Sequence, residues 1–231
     1  MENQHEEKAI VVATANSHKG IEISQLLGCR KRILTLKDLG LSICWTEDGL
    51  TFQENAIKKV LCVADALAKK QPLWRQILVL GDDSGLEVDA LGGEPGVYSA
   101  RFAEIKGVCK GRPTDADNNA LLLKLLDGVP WEKRTARFVC VIALLALEFN
   151  DTQCARQALK LFTGTCHGKI CFEPRGVNGF GYDSLFQPEG YELTFGEMPA
   201  EEKNRISHRA RAIEQVKQYL HSNPEFQQFI Y

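Results

Sequence analysis

Two adjacent carboxylates, Asp82 and Asp83, follow an apolar run and open the glycine-rich stretch GDDSGLEVDALGGEPGVYSARF at residues 81–102. The run at 77–80, ILVL, is branched and apolar, and Gly81 after it predicts a short buried strand that ends there. Side chains at such an end project into the crevice beyond the sheet edge, where open α/β sheets bind ligands. Two carboxylates in that place can hold a divalent cation and orient water. The same residues also suit an Asp-Ser-Gly turn whose carboxylates cap backbone N–H groups, and the segment alone leaves both readings open.

Four further groups carry chemistry by residue type. Thr14, Asn16 and Lys19 put polar side chains, helix-start N–H groups and a cation on one short turn, which suits phosphate and equally suits a plain N-cap beside a solvated lysine. Glu47, paired with Asp48, reads by itself as a surface turn, and Lys59 is either an exposed helix lysine or one that buries its stem and presents its ammonium. In GFGYD at 179–183 the glycines allow Phe180 and Tyr182 to sit on a close turn where a ring can stack on a base; a core aromatic pair is the alternative. Lys203 and Ser207 are four apart on an expected helix and share a face, with His208 and Arg209 able to turn toward the same place, or else the segment is a solvated basic helix.

The elements that must position these groups follow from periodicity. A strand is expected at 9–13, then a polar turn at 14–19 and a helix at 20–27 with Ile21, Leu26 and Leu27 on one face. A longer helix is expected at 52–70, with Ala56, Val60, Val63, Ala64, Leu67 and Ala68 as its stripe, Thr51 as N-cap and Glu54 as capping-box partner. Residues 71–76 read as a surface loop, 115–126 as a helix with a Leu-rich face, 136–147 as a core strand and 150–158 as a hairpin loop. A strand near 159–166, a separate GKICF segment at 168–172 and a helix over 200–220 complete the chain. No linker or repeat divides it, so the expected fold is a single α/β domain with a mixed sheet.

The chain has 231 residues, 44% hydrophobic and 25% charged, enough for a full core and near globular averages. A formal charge of −2 argues against broad electrostatic affinity for nucleic acid or anionic membranes, so an anionic ligand must be met by a local cluster of bases. The eight cysteines, at 29, 44, 62, 109, 140, 154, 166 and 171, form no C-x-x-C pair or zinc-type spacing. The start, MENQHEEK, has acidic residues and no apolar core of a secretory signal, which together with unpaired cysteines fits a reducing cytoplasm and a flexible tail at 1–8. FVCVIALLAL at 138–147 is shorter than the roughly 20 residues of a membrane-spanning helix.

Taken together, VVATANSHKGIE at 11–22, EDGLTFQENAIKK at 47–59, the DDSG segment, GFGYDSLF at 179–186 and EKNRISHRARAI at 202–213 resemble the inosine triphosphate pyrophosphatase (Ham1-like) family over nearly the whole chain. The resemblance implies an α/β fold with an elongated mixed β-sheet flanked by helices, two lobes around a central cleft, and a homodimer. It implies hydrolysis of deaminated purine nucleoside triphosphates (ITP, dITP, XTP) to the monophosphate and pyrophosphate. It makes Glu47 and Asp83 ligands of Mg2+, Asp83 the general base with Asp82 beside it, and Thr14, Asn16, Lys19 and Lys59 contacts of the triphosphate. Phe180 is placed against the purine, Asp183 at the edge of the base, and Ser84, Gly181, Tyr182, Lys203, Ser207, His208 and Arg209 around the nucleoside. An arginine only donates, so it satisfies the O6 of inosine or xanthine and opposes the amine of adenine. Guanine shares O6, so its exclusion must act on the 2-amino group. Ser184 stands where the family usually has proline, and the stretches at 71–76 and 150–158 depart from its compact pattern. Two alternatives are a catalytically silent nucleotide sensor, which would need a lost carboxylate or lysine, and a Maf-like pyrophosphatase, against which SHR and GFGYD speak.

Overall fold

The computed structural model describes residues 8–28, 33–70, 74–150 and 153–229. The expected tail apart from Lys8, Cys29 and parts of the loops at 71–76 and 150–158 lie outside them. The described chain is α/β, with six strands in one sheet in the order β2-β1-β3-β4-β5-β6. These are β1 (Lys8–Ala13), β2 (Ile33–Thr35), β3 (Gln76–Val88), β4 (Thr135–Phe149), β5 (Cys154–Ile170) and β6 (Phe186–Pro188). β1 runs parallel to both β2 and β3, which explains why Ala9–Ala13 are apolar without alternation: neither side of such a strand faces water. β5 and β6 pair antiparallel, so the sheet is mixed.

Several boundaries differ from expectation for identifiable reasons. β3 does not stop at Gly81 but runs through Asp82 and Asp83 to Val88. Gly81 is there because a Cβ would lie 2.8 Å from Val60 Cγ1 and 2.9 Å from the Ala56 carbonyl, so the glycine lets the helix α2 (Phe52–Lys70) approach the strand. The two aspartates are therefore strand residues, and the glycine turn comes later, where Gly92 and Gly93 take φ of 63° and 96°. Helix α1 (Ser17–Leu27) starts three residues early because Asn16 Oδ1 accepts from the His18 and Lys19 N–H groups. Its buried face is Gly20, Ile23 and Leu27, while Ile21 is 57% exposed. On α2 the stripe is buried except for Ala68, and the capping box is half made: Thr51 Oγ1 accepts from Glu54 N–H, but the Glu54 carboxylate turns to Leu50 N–H. β5 takes in residues 154–158 and 168–170, expected as loop and as a separate segment. The helix expected over 200–220 is two, α5 (Ala200–Ile206) and α6 (His208–Ser222), with Ser207 extended between them at ψ 157°. The other helices are α3 (Phe102–Ile105), α4 (Asp115–Leu125) and α7 (Pro224–Gln227). Among the described residues no helix is long and apolar enough to cross a membrane.

The chain forms two compact units. One gathers the described residues up to Asp83, Val141–Thr163 and those from Ala212 on, with β1, the buried face of α2 and the first half of β3 in its core. The other comprises Ser84–Cys140 and Gly164–Arg211, around Leu86, Leu122, Phe138, Ile170, Phe186 and Phe195.

Candidate functional site

In the first unit, charges from four segments meet. Asp82, 1% exposed, receives the Lys19 ammonium from the first turn of α1. Lys59, on the buried face of α2, donates to Asp83 Oδ1 at 2.7 Å and to the Asp82 carbonyl at 2.9 Å, and pairs with Glu47 Oε1 at 2.7 Å. Glu47 and Asp83 thus contact one nitrogen, and their oxygens lie no more than twice that distance apart. Asn55, one helical turn before Lys59, donates to Asp83 Oδ2 at 3.3 Å and accepts from Gly49 N–H at 2.9 Å, which ties the Glu47 segment to the helix. Gly49 cannot carry a side chain there, since a Cβ would fall 2.6 Å from Asn55 Oδ1. Asn55 escaped the sequence reading; its signal was an amide that shares the buried face of α2 with Lys59.

The electrostatics follow from burial. Desolvation pushes the Asp83 carboxyl above the ordinary carboxylate range, although Lys59 and Lys19 pull the other way. Burial works against the charge of Lys59, but the Asp83 and Glu47 carboxylates outweigh it and hold its ammonium above the usual lysine value. Three carboxylates face two ammonium groups here, which leaves an excess of hard anionic oxygen. That donor set fits a divalent cation of the magnesium type, which takes one or two carboxylates and fills its remaining positions with phosphate and water. Among the described residues no group of three His, Cys, Asp or Glu side chains gathers as a metal site on its own. Thr14 and Asn16 shape the approach: Asn16 N–H bonds Thr14 Oγ1 at 3.1 Å, and no acidic residue occupies the first turn of α1.

In the second unit, an aromatic ring and several donors converge. Asp183 Oδ2 accepts from Phe180 N–H at 2.8 Å and from Lys203 Nζ at 2.7 Å, with both charged side chains 5% exposed. The Lys203 ammonium lies 5.1 Å from the Phe180 ring centroid and the Arg209 guanidinium 5.9 Å from it. Arg209, 1% exposed, donates to Ser84 Oγ at 2.9 Å, and His208 stacks on Phe138 with centroids 4.7 Å apart. Gly179 has φ 76°, and a Cβ there would meet Asp183 Oδ2 at 2.0 Å. Gly181 is likewise left-handed at φ 62°.

Two expected members of this group are placed otherwise. Tyr182 is 3% exposed in the core, its hydroxyl donating to the Ser99 carbonyl, so its ring is packed inward instead of lying on the turn beside Phe180. Ser207 ends α5, so it shares no continuous helix face with Lys203, and its Oγ accepts from Ala210 N–H as the cap of α6. That break turns His208 and Arg209 inward at the start of a new helix.

Comparison with known proteins covers both groups. A model of the Ham1 family matches residues 10–219. A dITP/XTP pyrophosphatase of Desulforamulus reducens is 44% identical over 213 residues, 91% of this chain and 94% of that protein. One of Shouchella clausii is 44% identical over 212 residues, covering 91% of this chain and 96% of its own. Among solved structures, a HAM1 protein from Coxiella burnetii superposes with a TM-score of 0.73 at 35% identity, covering 93% of this chain and 99% of that one. The Ham1 protein of Staphylococcus aureus gives 0.72 at 34% identity over 93% and 98%.

Proposed function

This chain belongs to the Ham1 family, and from that premise we propose that it hydrolyses deaminated purine nucleoside triphosphates, ITP, dITP and XTP, to the monophosphate and pyrophosphate. The observation that carries the reading is the pairing of two separate chemistries. A lysine–carboxylate cluster suits phosphoanhydride hydrolysis, and a ring flanked by buried donors suits a 6-oxo base. β3 serves both with successive residues: Asp82 and Asp83 belong to the first, and Ser84 to the second.

Glu47 and Asp83 would hold Mg2+, which when bound neutralises the triphosphate and polarises the phosphorus under attack. The chain's own groups do the rest. Lys19 and Lys59 offset the charge that grows on the leaving pyrophosphate, and the N–H groups at the start of α1, shaped by Thr14 and Asn16, receive phosphate oxygens. Asp83 accepts the proton of the attacking water. Asp82 shares the role, because a carboxylate that also ligates metal is a weaker base.

Base selection rests on the second group. Phe180 stacks on the purine, Gly181 keeps the turn close, Asp183 accepts from the base edge, and Lys203, His208 and Arg209 face O6. Tyr182 and Ser207 act through the turn and the helix cap that carry these groups. Presenting the adenine amine to donors leaves them unpaired, which costs about 1–3 kcal/mol per buried group. The family resemblance further supports a homodimer, the cysteine usage fits a reducing cytoplasm, and the net charge of −2 argues against broad affinity for nucleic acid or anionic membranes.

Phosphorus NMR of an ITP digest tests the reaction class. IMP and pyrophosphate as the first products support the reading; IDP and inorganic phosphate overturn it.

A further inference from the structure

Gly181, inside the turn that carries Phe180 and Asp183, is held from both sides by one helix. Its N–H donates to Asp115 Oδ2 at 2.6 Å, and its carbonyl accepts from Asn119 Nδ2 at 3.0 Å. Asp115 and Asn119 are four residues apart on α4 and therefore share a face. The helix is itself well fixed. Thr114 and Asp117 form a complete capping box, Asn118 accepts from Ala103 N–H at 2.9 Å, and Leu121 and Leu122 are buried.

The two bonds matter because of which peptide planes they seize. The Gly181 N–H lies in the plane joining 180 to 181, and its carbonyl in the plane joining 181 to 182, so holding both fixes φ and ψ of Gly181. Asp183 holds the preceding plane through Phe180 N–H. With three consecutive planes fixed, the Phe180 ring keeps only its side-chain torsions. The buried Tyr182 anchors the far side of the turn and Asp183 N–H bonds the Phe180 carbonyl at 3.2 Å, but Gly181 itself borders open space. A cavity of about 440 Å³ is lined by Asp115, Asn119, Leu123, Phe180, Gly181 and Asp183, among others, so the turn has room to shift once the bonds are lost. Asn119 Oδ1 is buried and has no partner among the described residues, and the reversed amide would set it against the Gly181 carbonyl, acceptor to acceptor.

We infer that Asp115 and Asn119 are positioning residues for base recognition: by clamping Gly181 they set the plane of Phe180, and so govern purine affinity and discrimination without touching substrate. The inference rests on the function proposed above. A triphosphate contact is not affected by the clamp, whereas a contact to the base is.

The test uses Asn119→Leu and Asn119→Asp, both of which remove the donor, and Asp115→Asn, which keeps an acceptor oxygen. Calorimetry measures IMP and pyrophosphate separately, and kcat/KM is compared for ITP and GTP. In the two Asn119 variants IMP binding weakens about tenfold, the size expected for a lost buried hydrogen bond, while pyrophosphate binding holds and the ITP-to-GTP ratio falls. Asp115→Asn retains most of the wild-type IMP affinity. Wild-type IMP affinity and ratio in both Asn119 variants overturn the inference alone, as does a parallel loss of pyrophosphate binding, which marks general damage to the fold. A wild-type protein that binds no purine nucleotide overturns the proposed function together with it.

Discussion

Lys59 and Asp83 illustrate how a single residue's environment decides its chemistry. A lysine on an amphipathic helix is ordinarily solvated, yet here the ammonium has become the shared partner of two carboxylates and a backbone carbonyl. On the proposed reading Asp83→Asn keeps the shape and removes the base; turnover of ITP falls by about 10²–10⁴ while IMP affinity is retained, as measured by steady-state kinetics and calorimetry. The buried thiol of Cys166 makes a second prediction, about stability. Burial pushes it from its ordinary 9.0 up to about 11. A raised folded value means that the stabilising contribution is complete below the unfolded value and is lost as pH rises through the folded one. Urea melts between pH 9 and pH 11 therefore show a loss of stability that Cys166→Ala diminishes, by up to about 2–3 kcal/mol at the alkaline end.

At the scale of elements, close approach and capping do the positioning. Gly81→Ala forces a methyl group against Val60 and the Ala56 carbonyl, so helix α2 must move off β3 and carry Lys59 with it. The expected cost is about 1–3 kcal/mol in denaturant melts, with a fall in kcat as Lys59 shifts. Ser207→Ala removes the cap of α6 and costs about 1 kcal/mol, read in the same way. These elements also show what was legible in the sequence. α2 was readable to its ends because one long amphipathic stripe with a Thr cap specifies itself. β3 was not, because Gly81 reads locally as a stop, whereas its glycine is demanded by a helix close in space and distant in sequence. The break at Ser207 was hidden for a related reason: the residues on both sides favour helix, and only Ser207's bond to Ala210 N–H marks a new start. At the site, charged and aromatic members could be named from their motifs. Asp115 and Asn119, which hold the aromatic turn, carry no motif because they act through the backbone of another segment, and Asn55, although inside the stretch at 47–59, bonds Gly49 N–H and the Asp83 carboxylate, partners that its own spacing does not show.

For the molecule as a whole, a net charge of −2 has to accommodate a polyanionic substrate, and it does so by concentrating cations instead of spreading them. One compact unit gathers Lys19 and Lys59 with the carboxylates; the other gathers Lys203 and Arg209 around an aromatic ring. On the proposed reading, reaction falls to one set of residues and selection to another, so variants of the first lower turnover on every nucleotide and variants of the second change the ranking among them. The measurement that bears most directly on this account is pyrophosphate release from ITP, dITP, XTP, ATP and GTP, each with magnesium, compared as kcat/KM. The account predicts that the first three exceed ATP by at least about a hundredfold, the discrimination expected when a mismatched base strands buried donors, and also exceed GTP, whose O6 matches and whose 2-amino group the site must exclude. Equal specificity constants across the five nucleotides would contradict it.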